Sequence, residues 1–204
     1  MSQSFRIAGK GRLSPSRGLR FFFDGKAYDG LEGDTVASAL LANGVHLAGR
    51  SYKYHRPRGI LTAGSEEPNA LIGVTNSAAR HTPNVRATVQ EVHDGLAARS
   101  QNRWPSLAFD VGAVNSLGAP FFSAGFYYKT FMWPKAAWKK IYEPFIRQAA
   151  GLGTAPNEPD PDHYANRNVH CDVLVVGGGA VGLAAALAAA KAGASVILCD
   201  EQAQ

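Results

Sequence analysis

The sequence predicts an α+β domain at the N-terminus followed by the start of an α/β domain with parallel strands, within a chain of 204 residues. Three observations predict this. Early in the chain an Asp24-Gly25 pair joins two strand-like runs and is followed by a short, capped helix. Late in the chain an apolar strand runs into glycines, an alanine-rich helical segment and a second apolar strand. Between them lie an aromatic-dense stretch and a linker rich in proline, glycine and acids.

Residues 1–19 are rich in Gly, Ser, Arg and Pro and read as an arm. Arg20-Phe-Phe-Phe-Asp24 and Lys26-Ala-Tyr28 then form a β-hairpin, since Asp-Gly tolerates the positive φ of a tight hairpin turn. Asp34 is a good N-cap for a helix over Thr35–Asn43, with Val36, Ala39, Leu40 and Leu41 as its apolar side and Gly44 as its stop. Hairpin, short helix, long loop and a later strand candidate, Val85–Val89, make a β-grasp-like order. The expected division is 1–98 for this domain with its arm, 99–168 for the aromatic connector and linker, and 169–204 for an incomplete first βαβ unit.

Apolar content of 46% with 18% charged residues is ordinary for a globular protein able to bury a core. The net charge of +5 lies in the first half, where residues 1–100 carry 13 Lys/Arg against 8 Asp/Glu; residues 101–204 carry 8 against 8. That imbalance is too mild to indicate nucleic acid, and no zinc-finger or RNA-binding signature accompanies it. No basic leader with an apolar core and no membrane-length apolar run is present, so the expectation is a cytoplasmic protein without a membrane partner. Cys171 and Cys199 fall at the start of one strand and the end of its neighbour, roughly 13 Å apart along the strands at about 3.3 Å per residue. That spacing disfavours a mutual disulfide or a shared metal. The six histidines show no metal-ligand spacing, and no metal site is named.

The loop Arg50-Ser-Tyr-Lys-Tyr-His-Arg-Pro-Arg-Gly59 places four permanent cations and His55 within nine residues. It could receive a phosphate or a carboxylate, with Arg56 and Arg58 best suited to bidentate contacts. The competing reading is a solvated loop partly neutralised by Glu66 and Glu67. Residues 121–145 hold ten of the chain's twenty aromatics, interrupted by Lys129, Lys135, Lys139 and Lys140. They suit either an interface with another domain or subunit or burial within this chain. Gly151–Asp162 reads as a linker.

The densest signal is Gly177-Gly-Gly-Ala-Val-Gly182, after Asp172-Val-Leu-Val-Val176 and before Ser195-Val-Ile-Leu-Cys199 and Asp200-Glu201. A G-x-G-x-x-G triplet alone is weak. Strand, turn, helix, strand and acid, with 18 residues from Gly182 to Asp200, raise it to a dinucleotide-binding fingerprint. Gly177 permits the tight turn, Gly179 lets backbone approach a pyrophosphate, and Gly182 lets the helix lie close on the sheet. Free N–H groups near Ala180 and Val181 would face the anion at the helix N-terminus. Asp200, or its neighbour Glu201, would accept hydrogen bonds from the adenosine ribose. Two parallel strands and one helix leave sheet faces uncovered, so this unit is expected to need further sequence or another chain to complete it.

Five blocks, Ser51–Gly59, Glu66–Ala70, Gln101–Ser106, Ala124–Pro134 and Cys171–Gly179, together resemble the N-terminal region of the alpha subunits of heterotetrameric sarcosine oxidases. The resemblance covers nearly the whole chain and implies a much longer subunit. It implies a flavoenzyme complex that oxidises sarcosine to glycine, forms hydrogen peroxide and passes a one-carbon unit to tetrahydrofolate. Beta, gamma and delta subunits would be the partners, with FAD on the beta subunit, FMN at the alpha–beta interface and NAD on the Rossmann-type FAD/NAD(P)-binding domain of alpha. Residue by residue, only the NAD fingerprint transfers: Gly177, Gly179, Val181, Gly182, Asp200 and Glu201. No catalytic residue transfers, and the segment alone is expected to be inactive.

The N-terminal domain also resembles 2Fe-2S ferredoxin-like β-grasp domains of related dehydrogenase subunits. A cluster of that kind takes cysteine thiolates, which this loop lacks, so the resemblance implies a cluster-free scaffold with a docking role. Two other readings stand beside the first: the alpha subunit of an amino-acid or opine dehydrogenase or of hydrogen cyanide synthase, and a non-catalytic assembly module.

Overall fold

The computed structural model describes residues 3–11, 13, 17–75, 81–120, 122, 125, 131–149, 153, 155–156, 159 and 163–200, with the side chains of 148 and 149 excepted. The chain divides into two compact units, Met1–Pro161 and Asp162–Gln204.

In the first unit, strands β1 (Gly18–Phe23) and β2 (Lys26–Leu31) form the hairpin, with Phe23 opposite Lys26. Positive φ at Asp24 and Gly25 builds its turn. β1 alternates strictly: Leu19, Phe21 and Phe23 are buried, while Phe22 is exposed. Three more strands, β5 (Leu71–Thr75), β6 (His81–Arg86) and β7 (Ala97–Ser100), complete a sheet of order β2-β1-β7-β5-β6. β1 and β7 are parallel and the other pairs antiparallel. This is the β-grasp arrangement, with helix α1 (Val36–Ala42) contributing to the same core.

Phe21, Leu40, Ile72 and Leu96 are fully buried at the centre of that core. Each such side chain stabilises the fold by roughly 1.5–3 kcal/mol relative to exposure. Asp34 is buried with them, and its carboxylate accepts from Leu31 N (2.8 Å), Ser38 Oγ (2.7 Å) and Arg6 Nη2 (2.5 Å). The arm is therefore attached to the domain. Arg6 reaches Asp34, Gln3 Nε2 donates to Asp29 O, and Phe5 N donates to Ala42 O.

The N-cap of α1 is Thr35, in a capping box with Ser38, because the Asp34 carboxylate serves Leu31, Ser38 and Arg6. Leu41 faces outward, and Ala37 and Ala42 join Val36, Ala39 and Leu40 on the buried side. The strand expected at Val85–Val89 is β6, ending at Arg86. Beyond it the chain turns, because Ala87 O and Gln90 O accept the N–H groups of Ala37 and Val36 at the start of α1. Strands β5 and β7 carry no clear alternation in sequence, being short and interrupted by Gly73 and Arg99.

A separate two-stranded hairpin, β3 (Gly49–Arg50) and β4 (Pro57–Arg58), stands in the basic loop. After the sheet come a 3₁₀ stretch, Val111–Gly118, a π-helical turn, Trp138–Tyr142, and helix α2, Glu143–Ala149. Of the aromatic segment, Phe121 and Phe126–Tyr128 lie outside the described residues, while Trp133 and Phe145 are strongly exposed. Much of the expected linker 151–162 also lies outside them.

The second unit consists of β8 (Val173–Val176), α3 (Ala180–Lys191) and β9 (Val196–Cys199). The strands are parallel, with Val176 opposite Cys199. Helix α3 is apolar all round, a composition suited to burial on more than one side. Here Leu174, Val176, Val181, Leu183 and Leu187 are exposed. No described helix is long and apolar enough to cross a membrane.

Candidate functional site

The glycine turn sits at the carboxyl ends of β8 and β9, where open parallel sheets place their ligand crevices. Gly177 has φ +105°, a conformation that L side chains rarely adopt, and its N–H extends the ladder to Cys199 O at 2.7 Å. Gly179 is the N-cap of α3, and a Cβ there would meet nothing within 4 Å, so its backbone faces open space. A Cβ on Gly182 would stand 1.9 Å from Gly177 O, so only glycine lets the helix start against this turn. Val181 is almost fully exposed on the first helical turn.

Asp200, just beyond β9, is drawn into the same turn: its Oδ2 accepts the Gly178 N–H at 2.5 Å. Gly178, given no role from sequence, thus ties the end of β8 to the acid after β9. A Cβ on it would lie 3.1 Å from that oxygen. Glu201 lies outside the described residues. The structure therefore brings Gly177, Gly179, Val181, Gly182 and Asp200 together. Free first-turn N–H groups, the dipole of a 12-residue helix and open space at Gly179 can receive an anionic group such as a pyrophosphate. These residues fit the phosphate end of a dinucleotide. Cys171 and Cys199 flank the strand pair as expected and are free thiols.

In the first unit the basic loop is a pinned hairpin. Ser51 N donates to Arg56 O, His55 N to Ser51 O and Arg56 N to Ser51 Oγ, each at 2.9–3.0 Å. His55 takes φ +52°, and its Nδ1 lies 2.6 Å from Asp110 Oδ2. Asp110 also accepts from Trp104 N (3.0 Å) and Gly112 N (3.1 Å). Its burial alone would raise its pKa, but these backbone donors and His55 outweigh that and hold the carboxyl below its ordinary value. Arg50 braces the hairpin from the other side, donating to Leu107 O (2.7 and 3.0 Å), Ala108 O (3.1 Å) and His55 O (3.1 Å). Asn102 Nδ2 donates to Ser51 O at 2.8 Å, and Tyr54 OH to Phe122 O at 2.9 Å.

Nearby, buried Glu67 holds the following loop. One oxygen accepts from Leu61 N (2.8 Å) and Thr62 N (2.7 Å), the other from Asn69 N (2.8 Å) and Ala70 N (3.3 Å). Burial opposes its ionisation, but the four backbone donors prevail and its pKa lies below the ordinary glutamate value. Neither this fourfold role nor the pairing of His55 with Asp110, 55 residues away, carries a local sequence signal.

A β-grasp domain of ferredoxin type, followed in sequence by the opening βαβ unit of an FAD/NAD(P)-binding fold, is the class of protein these two units define. Residues 16–103 match the family described as 2Fe-2S iron-sulfur cluster binding domain, and residues 172–204 the family described as FAD dependent oxidoreductase. Along nearly its whole length the chain is related to sarcosine oxidase alpha subunits. It is 63% identical to that of Rhizobium meliloti over 97% of this chain and 20% of the relative. Against those of two Corynebacterium strains, P-1 and U-96, identity is 36% and 35% over 95% and 94% of this chain and 15% of each relative. The chain thus spans a fifth or less of the length of the curated relatives it matches. Among solved structures, L-proline dehydrogenase from P. horikoshii matches 43% of this chain and 16% of its own, at 25% identity and a TM-score of 0.35.

The cluster in the first family's description does not fit this chain. Residues 16–103 contain no cysteine, and the described residues hold no grouping of His, Cys, Asp and Glu suited to a metal. A 2Fe-2S centre is held by cysteine thiolates, with histidines replacing two of them in one variant, so the ligand set is missing.

Proposed function

We propose that this chain is the N-terminal part of the alpha subunit of a flavin-dependent, cytoplasmic sarcosine oxidase complex. In this reading 1–98 is a cluster-free docking scaffold, 99–168 a connector that meets other subunits, and 169–204 the first part of a dinucleotide-binding domain. The observation that carries the reading is 63% identity to a sarcosine oxidase alpha subunit over 97% of this chain. The complex would oxidise sarcosine to glycine with formation of hydrogen peroxide and transfer of the one-carbon unit to tetrahydrofolate. Beta, gamma and delta subunits are the partners, and FAD and FMN reside in the complex outside this segment.

For the glycine turn we propose NAD, held through Gly177, Gly179, Val181, Gly182 and Asp200 or Glu201. The open backbone at Gly179 and the acid beside the turn support it. A bound dinucleotide would supply redox chemistry; this chain would supply the anion-facing helix terminus and the ribose acceptor. The match of 172–204 to FAD dependent oxidoreductases favours a second reading, in which the same turn takes FAD, whose ADP half is chemically alike.

The test is to express the subunit that contains this chain, isolate it with its copurifying partners and assay sarcosine-dependent peroxide. Activity in the complex and none in residues 1–204 alone is expected. Peroxide release by the isolated segment, or a flavin-loaded complex indifferent to sarcosine, would overturn the assignment. The nucleotide that the wild-type complex carries and a Gly179→Val complex loses, identified by mass, separates NAD from FAD at this turn.

A further inference from the structure

The β3–β4 hairpin borders a cavity of about 480 Å³, a size within the common range for small-molecule sites. Gly49, Lys53, Tyr54, Arg56, Arg58 and Asn69 are among its lining residues, and no carboxylate lines it. Arg56 and Arg58 both line it, with Gly49 opposite Arg58, while Pro57 between them and His55 do not. Arg50 belongs to the brace, since its guanidinium is committed to the carbonyls of Leu107, Ala108 and His55.

Neutralisation by the neighbouring acids is not what the structure contains. Glu67 is buried and spent on four backbone N–H groups, and no described carboxylate pairs with Arg56 or Arg58. The Arg56 guanidinium lies 4.7 Å from the Tyr54 ring centroid, and Tyr54 is fixed by its hydroxyl bond to Phe122 O. Stacking of this kind orders an arginine without consuming its forked donors. A hairpin pinned by these hydrogen bonds thus presents two guanidinium groups that pair with no carboxylate among the described residues, beside an open cavity.

We propose that this cavity binds the phosphate group of a small phosphorylated molecule, with Arg56 and Arg58 as its principal donors. Two forked cations suit the charge and three oxygens of a phosphate monoester better than a single carboxylate. The volume exceeds what inorganic phosphate alone occupies, so the ester is the expected ligand. This site is separate in sequence and chemistry from the glycine turn.

The test is calorimetric titration of the full chain with inorganic phosphate, glycerol 3-phosphate and glycerol, in wild type, R56Q/R58Q and K139Q/K140Q. One-to-one binding of the two phosphates, tighter for the ester, with none for glycerol, is expected. R56Q/R58Q should weaken binding by roughly tenfold or more, while K139Q/K140Q leaves it unchanged. A readout on wild type guards against misfolding: glycerol 3-phosphate should slow phenylglyoxal modification of Arg56 and Arg58 but not of exposed Arg147. Unprotected Arg56 and Arg58, non-saturating binding, equal affinity in R56Q/R58Q, or an equal loss in K139Q/K140Q would overturn the proposal. Stronger binding of inorganic phosphate than of the ester would overturn the assignment to a phosphorylated molecule.

Discussion

Asp110 Oδ2 and His55 Nδ1 lie 2.6 Å apart, joining the tip of the basic hairpin to the segment that follows the last strand of the sheet. Both residues are buried, and the same carboxylate collects the N–H groups of Trp104 and Gly112. A Cβ on Gly112 would stand 2.3 Å from the imidazole, so the ring packs directly against backbone.

Asp110→Ala should therefore cost about 3 kcal/mol or more, by leaving two backbone donors and an imidazole unpaired in a buried site. Asp110→Asn keeps one acceptor oxygen for the Trp104 and Gly112 N–H groups and should cost less. Urea unfolding of both variants checks the order; equal costs would mean that Asp110 Oδ1 contributes nothing.

Glu67 predicts acid sensitivity. Its folded pKa lies below the ordinary value, so its ionised form contributes stability above the unfolded pKa, and that contribution is lost as pH falls through the folded one. Asp110 acts in the same direction. The wild type should lose stability below about pH 4.5, near the ordinary glutamate pKa. Glu67→Gln turns an amide toward backbone donors and should destabilise by about 2–4 kcal/mol at neutral pH. Its stability should also fall less steeply with acid. Unfolding midpoints between pH 7 and pH 3 for both proteins check this; parallel curves would remove Glu67 from the account.

What was legible in the sequence was local. Asp24-Gly25 announced its hairpin, and the triplet ending at Gly182 announced strand, turn and helix, because each feature is encoded within a few residues. The cap lies one residue beyond Asp34 because Asp34 and Thr35 are both good caps, and the Asp34 carboxylate is taken by Leu31, Ser38 and the distant Arg6. Strands β5 and β7 leave no local signal because their patterns are too short to alternate, and they exist through pairing with each other and with β1 and β6. The loop cations were visible as a group. Their division into a brace, Arg50, and an outward pair, Arg56 and Arg58, depended on Leu107, 57 residues away.

Gly182 and Gly179 make opposite predictions. Gly182→Ala puts a methyl 1.9 Å from Gly177 O, so α3 must move off the turn, a cost of about 3 kcal/mol or more. Gly179→Ala meets open space at φ −66° and should cost no more than about 1 kcal/mol as an N-cap change. Hydrogen exchange of the β8 and β9 amides should rise sharply in the first variant and little in the second. Similar exchange in both would mean that helix and strands are not coupled through this contact.

The acid after β9 sets the last prediction. Asp200 Oδ2 accepts the Gly178 N–H, so an acceptor there holds the turn, while the negative charge bears on the nucleotide. In the complete subunit a 2′-phosphate beside Asp200 and Glu201 would meet like charge, and Asp200-Glu-Gln-Ala-Gln204 offers no arginine to offset it. NAD should therefore bind more tightly than NADP. Asp200→Asn retains an acceptor for Gly178 while removing the charge, so the turn should persist as NAD binding weakens by roughly 1–3 kcal/mol and the discrimination against NADP shrinks. Asp200→Ala should lose the turn as well, with faster exchange at Gly178. Titrating NAD, NADP and FAD into the wild type and both variants decides among the readings. Unchanged NAD affinity in Asp200→Asn would take the ribose contact away from this residue, and tighter binding of FAD than of NAD would give the turn to the flavin.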